Sequence, residues 1–254
     1  MSMHYAHSGK TLNADSMHRL DHFARQEFRH ISRDQMLFLF MMAPLVLFAF
    51  VHWAVPALEH AFPVITGYYP YISMFGAMQT SIMMGFISAF ILLEEKDEEV
   101  IQALRILPLR ASTFLTYRLT GATLLATVGA WLIIRWGGLV LVREVPAILL
   151  ATQFGLLAPL ISLVVSTFAR NKIEGLAYFK ILDLIILLPM VSFFFPGWWT
   201  WLLAVVPVFW SFHAYESAIH GSHFALWMLT GFLVYALAMR ILGHWFRKKV
   251  WNGL

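Results

Sequence analysis

The chain of 254 residues is 60% apolar and 13% charged, has no cysteine and carries a formal charge of +4. Soluble domains average about one-quarter charged residues, so water is not its main solvent, and most of its length is taken up by apolar stretches of about 20 residues. This composition excludes disulfides, thiolate metal centres and a cysteine nucleophile. It leaves no room for a large soluble domain, and it assigns the basic surplus to topology and anionic head groups rather than to nucleic acid.

The opening thirty residues hold neither an apolar core nor a small-residue cleavage site, so a removable signal peptide is not expected. Ser8-Gly9-Lys10-Thr11 ends like a phosphate-binding loop, but His4 stands where the leading glycine belongs and no strand precedes it. Any nucleotide energy must therefore enter through another polypeptide. From Gln26 to Phe40 charged and apolar residues mix, and Arg25, Arg29 and Arg33 share one helical face. That pattern predicts an interfacial helix that meets lipid phosphates or a cytoplasmic partner. Residues 1–35 are read as a cytoplasmic N-terminus and residues 36–254 as an all-α membrane domain.

Six crossings are predicted, at Met36–Leu58, Tyr71–Leu93, Thr113–Ile134, Pro146–Phe168, Ile181–Phe195 and Phe224–Gly243. Gln79 and Gln153 fall mid-span, as path-lining groups or as interhelical hydrogen bonds. Between the second and third crossings, Glu94, Glu95, Asp97, Glu98 and Glu99 precede an apolar stripe of Val100, Ile101, Leu104 and Leu107, closed by Pro108. Acidic residues suit a helix N-terminus, so a short amphipathic helix is predicted to begin here. It docks either on a partner protein or on the chain's own helix ends. Farther on, Lys180 and Asp183 are expected to pair at the membrane rim.

All but two of the 18 Lys and Arg residues fall in connections on one side, the exceptions being Arg135 and Arg143. The richer side is cytoplasmic by the positive-inside rule, which puts both termini there. The stretch Pro196–His213 is apolar enough for a seventh crossing, but that parity would strand Arg247, Lys248 and Lys249 outside. Pro196, Gly197 and Pro207 also break it, so a hairpin re-entering from the outer face is predicted, with Trp198, Trp199, Trp201 and Trp210 at interfacial depth. His18 with His22 and His220 with His223 have spacings that could meet on a helix face, but without acidic support no metal site is expected. No ionisable residue lies clearly at mid-membrane, which counts against an ion-driven pump.

Three degenerate motifs occur in order: Arg33-Asp34 before a span with Pro44; Glu94-Glu95-Lys96-Asp97-Glu98-Glu99 continuing to Ala103-Leu104-Arg105-Ile106-Leu107-Pro108-Leu109; and Ala169-Arg170-Asn171-Lys172-Ile173-Glu174-Gly175-Leu176-Ala177 ahead of Lys180 and Leu188-Pro189. In this order and spacing, over nearly the whole chain, they resemble the permease subunit of a type-2 ABC transporter of the bacterial exporter family. The resemblance implies an elbow helix at about Asp21 to Gln35, a coupling helix at about Glu95 to Leu107, and a re-entrant hairpin between spans five and six. It further implies a separate ATP-binding subunit in two copies that carries ATP and Mg, with no cofactor in this chain. A second permease copy, membrane lipids and location in the bacterial cytoplasmic (inner) membrane are implied as well. On this reading Glu94, Glu95, Asp97, Glu98, Glu99, Val100, Leu104 and Arg105, with Arg33 and Asp34, form the ATPase-coupling interface. Trp198, Trp199, Trp201, Pro207 and Trp210 form an outer lateral gate. The function implied is ATP-driven export of a hydrophobic or amphipathic small molecule, drug, lipid or glycan, with no enzymatic step in this chain. A second reading is an interfacial enzyme using His and Glu residues such as His220 and His223.

Overall fold

The computed structural model describes residues 34–97, 111–221 and 223–251. Regular structure among them is helical throughout, with no strand among the described residues. The helices are α1 Gln35–Ala49, α2 Val55–Ala61, α3 Tyr69–Asp97, α4 Ala111–Trp136, α5 Glu144–Gly155, α6 Leu157–Phe168, α7 Lys172–Val191, α8 Val208–His220 and α9 Phe224–Phe246.

The chain divides into two compact units, Met1–Met42 and Ala43–Leu254. In the first, Asp34 caps the start of α1: its Oδ1 accepts the Leu37 N–H at 3.2 Å and its carbonyl accepts the Phe38 N–H at 2.9 Å. The elbow helix expected at Asp21 to Gln35 lies outside the described residues except for its last two positions. In the second unit, a π-type turn at Phe50–Ala54 leads into α2, which has Pro56 in its first turn. Proline lacks an N–H and its ring crowds the carbonyl four residues back, here that of His52, so the helix widens there rather than breaking.

Five helical stretches among the described residues are long and apolar enough to cross a membrane: Leu37–Ala61, Pro63–Asp97, Leu115–Trp136, Glu144–Phe168 and Phe224–Val250. A bent pair, Trp198–Val205 and Val208–His220, makes up to six if it is counted as one span. Five of the predicted crossings coincide with the unbroken stretches. The fifth prediction, Ile181–Phe195, overlaps the second half of α7. That helix has 20 residues, about 30 Å of rise, but holds Lys172, Glu174, Lys180 and Asp183 within its first twelve. It stops at Val191 because the Ser192 and Phe193 N–H groups turn back to the Pro189 and Met190 carbonyls, at 3.2 and 3.3 Å.

The expected Lys180–Asp183 pair does not form among the described residues. A basic residue placed before an acidic one is the weaker orientation for such a pair, and Asp183 is half-buried while Lys180 is exposed.

Helix α3 is the axis of the second unit. Within their most apolar windows, the stretch containing α3 is 89% buried and that containing α5 and α6 72% buried, against 22% for α4 and 17% for α9. Hydrocarbon gives helices no hydrophobic reason to associate, so close backbone approach and hydrogen bonds do the holding. At Gly85 of α3 a Cβ would lie 2.9 Å from the Ala158 carbonyl oxygen of α6. Beside it the Ser162 hydroxyl donates to the Gly85 carbonyl at 3.0 Å.

Candidate functional site at the charged helix ends

The acidic run does not open a new helix at Glu95 as expected. Glu94, Glu95, Lys96 and Asp97 form the last turn of α3. Carboxylates at the negative end of a helix dipole cost about 0.3–1 kcal/mol each when exposed, so this placement requires cations. The Arg118 Nη2 of α4 meets the Glu95 Oε1 at 2.5 Å, with side chains only 12% and 21% exposed, and the Lys172 Nζ of α7 meets the Glu94 Oε1 at 3.2 Å. Lys96 donates through Nζ to the Ala169 carbonyl at 2.8 Å, filling an acceptor that the end of α6 leaves open.

The α6–α7 junction is itself braced. The Asn171 Oδ1 accepts the Glu174 N–H at 2.9 Å and the Glu174 Oε2 accepts the Arg170 N–H at 2.8 Å, a variant of the capping box in which the carboxylate reaches one residue before the N-cap. One turn of α3 thus grips α4, the end of α6 and the start of α7. In the sequence Arg118 counts only toward topology, and Lys172 toward topology and the third motif. Their tertiary role has no local signal, since Lys172 lies 78 positions from Glu94.

Of the other coupling residues, Asp34 is the cap of α1, whereas Arg33, Glu98, Glu99, Val100, Leu104 and Arg105 lie outside the described residues. Most of the predicted helix over Glu95 to Leu107 does so too.

At the other end, Trp198–Val205 forms a 3-10 turn that meets α8 at 119°. Pro207 stands at the start of α8, and Trp210 donates from Nε1 to the Ala204 carbonyl at 2.9 Å, fixing the bend. Trp201 and Trp210 converge on Trp227 of α9, with ring centroids 6.3 and 5.7 Å away. His213 stacks on the same Trp227 ring at 4.7 Å and meets Phe209 edge-on at 4.3 Å. Trp198 remains 82% exposed, and Trp199 is half-buried. Sequence reading missed Phe209, His213 and Trp227; an aromatic next to two other aromatic-rich segments was the only available cue. Arg135, at this same end, is held by Glu144 at 2.8 Å and lies 5.5 Å from the Trp136 ring.

Gln79 is half-buried on α3. Gln153 of α5 is fully buried, and its Nε2 donates to the Met228 carbonyl of α9 at 3.2 Å, the interhelical role weighed above. Gly231 makes room for it, because a Cβ there would lie 1.8 Å from that nitrogen.

His220 ends α8, while His223 precedes α9 with φ 54°. No group of three or more His, Cys, Asp or Glu able to hold a metal occurs among the described residues.

A family model described as fluoroquinolones export permease protein Rv2686c-like matches residues 27–243. The fluoroquinolones export permease proteins MT2760 of Mycobacterium tuberculosis (strain CDC 1551 / Oshkosh) and Rv2686c of Mycobacterium tuberculosis (strain ATCC 25618 / H37Rv) are each 29% identical to this chain over 238 residues. The match covers 89% of this chain and 93% of each relative. No solved structure matches.

Proposed function

The chain belongs to the family of Rv2686c-like fluoroquinolones export permease proteins, and on that premise we propose that it is the membrane subunit of an ATP-driven exporter, powered by a separate ATP-binding polypeptide. Two permease copies pair in the bacterial cytoplasmic membrane with both termini inside, and each docks one ATPase subunit, which holds ATP and Mg. The cargo is an amphipathic small molecule with a planar apolar portion, in keeping with the drug class in the relatives' names.

One observation carries the mechanism. Helix α3 is an uninterrupted 29-residue rod, buried along most of its length, whose final turn holds α4 and the α6–α7 junction through Glu95, Lys96 and Glu94. The connection over residues 98–110 lies between α3 and α4. When the ATPases close, contact at Glu98, Glu99, Val100, Leu104 and Arg105 displaces that connection, and the ion-paired turn hands the displacement to three helices together. Tightly packed interiors transmit such shifts rather than absorbing them.

At the outer end the bent segment is a re-entrant hairpin, and its rings form the exit. Trp201, Trp210 and Trp227 present apolar faces with few rotatable bonds, which suits release of a flat amphipathic solute.

Pull-down of the full chain with its co-expressed ATP-binding subunit tests this directly. Glu98→Lys with Arg105→Glu is expected to leave membrane insertion intact while abolishing ATPase association or its stimulation by drug. Unchanged association and unchanged stimulation in that variant would sink the coupling assignment.

A further inference from the structure

A basic feature with mostly apolar walls at the end of α9 takes no part in the proposed transport. A cavity of about 470 Å³ lies between α4, α6 and α9, with Leu119, Thr120, Pro159 and Leu163 among its lining together with Arg240 and Arg247. A second cavity of about 400 Å³ includes the same two arginines beside Ile241 and Trp245. No carboxylate is among the residues lining either one.

Arg240, His244 and Arg247 recur at intervals of four and three, so they share one face of the α9 end, and all three are exposed. The cavity floor is firm. Leu115, Leu163, Phe246 and Val250 form a buried cluster with Leu119 and Leu242 packed against it, so the end of α9 is pinned to α4 and α6 rather than loose. Its outer margin is open, with Leu124 60% exposed on a membrane-spanning helix, where exposure means contact with hydrocarbon.

We propose that Arg240 and Arg247 hold the phosphate of one anionic phospholipid whose two acyl chains occupy the two flanking recesses. Charge complementarity selects the ligand: two guanidiniums close in sequence match phosphate oxygens with paired donors, and the walls beside them are mostly apolar, the Thr120 and Thr123 hydroxyls being turned back onto the Thr116 and Leu119 carbonyls of their own helix, which suits hydrocarbon. A soluble phosphate leaves both recesses empty, and a zwitterionic lipid adds a cation to an already cationic rim. The leaflet rests on the orientation proposed above and is cytoplasmic, where anionic lipid meets basic residues. The binding site itself rests only on the helix packing and stands whether or not the chain transports anything.

Native mass spectrometry of the purified full chain, titrated with phosphatidylglycerol and with phosphatidylcholine of identical chains, tests it. Each arginine near a membrane surface contributes enough that Arg240→Gln with Arg247→Gln is expected to weaken phosphatidylglycerol retention about thirtyfold. Phosphatidylcholine retention is expected to stay the same. Lys248→Gln, outside both cavities, keeps wild-type retention and controls for general charge. Thr120→Trp, which fills the larger recess without touching charge, is expected to weaken retention as well.

Equal retention of the two lipids, or variants indistinguishable from wild type, overturns the proposal. So does displacement of phosphatidylglycerol by glycerol 3-phosphate at equal concentration, which would make the site one for soluble phosphates. Because the chain has no cysteine, Leu124→Cys gives a clean additional reading. Efficient disulfide cross-linking between copies would make this groove a subunit interface and overturn the lipid assignment, whereas protection of that cysteine by added phosphatidylglycerol supports it.

Discussion

Replacing Arg118 by Leu should destabilise the chain by more than the loss of a surface ion pair. Exposed pairs are worth about 0.2–1 kcal/mol, and removing one partner of a buried pair costs about 3–5 kcal/mol. With side chains 12% and 21% exposed, the Arg118–Glu95 pair falls between these limits, and a coupling of about 2 kcal/mol is expected. Glu95, having lost the Arg118 guanidinium, would also face the negative end of α3, which adds to the cost.

For a chain of this size about 2–4 °C of melting temperature corresponds to each kcal/mol, so Arg118→Leu should melt roughly 4–8 °C lower in detergent. Glu95→Leu should recover part of that loss in the double variant, because the carboxylate that lost the Arg118 guanidinium is then removed as well. The exchange Glu95→Arg with Arg118→Glu should come closest to wild type, since it rebuilds the pair and puts the cation at the helix C-terminus. Thermal melts of wild type, Arg118→Leu, Glu95→Leu and the double variant, at low and high salt, give the double-mutant cycle. A coupling below about 0.5 kcal/mol, within the range of simple additivity, would refute the claim that this turn binds α3 to α4. In the presence of the ATPase, Arg118→Leu should retain subunit association but lose drug-stimulated hydrolysis.

Gly231→Ala should cost about 1–3 kcal/mol through overpacking against the Gln153 amide, and Gln153→Ala on that background should relieve most of it, as read by melting temperature. Gln153→Leu alone should cost only about 0.6 kcal/mol, the usual worth of an interhelical hydrogen bond in a membrane. Glu144→Ala should change stability by less than about 1 kcal/mol, and less again in high salt, because the Arg135–Glu144 pair is half exposed. In the cysteine-free background, Leu141→Cys, at a position 92% exposed, should react with an impermeant maleimide on intact cells. Ile173→Cys, at a position 84% exposed, should react only after permeabilisation. The reverse pattern would invert the orientation.

The unbroken crossings were readable because an apolar run of about 20 residues has one solution in hydrocarbon, a helix that satisfies its own backbone. The break at Val206–Pro207 was readable for the same kind of reason, as Pro196, Gly197 and Pro207 act locally. What escaped was tertiary. The run from Glu94 to Asp97 has the composition of a helix N-terminus, and only the presence of Arg118 and Lys172 beside it explains why it closes α3 instead. The end of α7 depends on a turn at Pro189 that stops the helix four residues short of Phe195. The outer ring cluster depends on Trp227, which its own segment presents as one more apolar residue of a span. Gln153 had two roles open to it, and the depth that assigns it to Met228 comes from packing rather than from pattern.

The proposed ATP-driven export of an amphipathic drug through this chain is measurable as transport. Inside-out vesicles containing the full chain and its ATP-binding subunit measure it most directly, through accumulation of a fluorescent fluoroquinolone. Accumulation that requires ATP, survives a protonophore and disappears when either subunit is omitted is the expected result. Accumulation that collapses with the proton gradient and ignores ATP, or that persists without this chain, would contradict it.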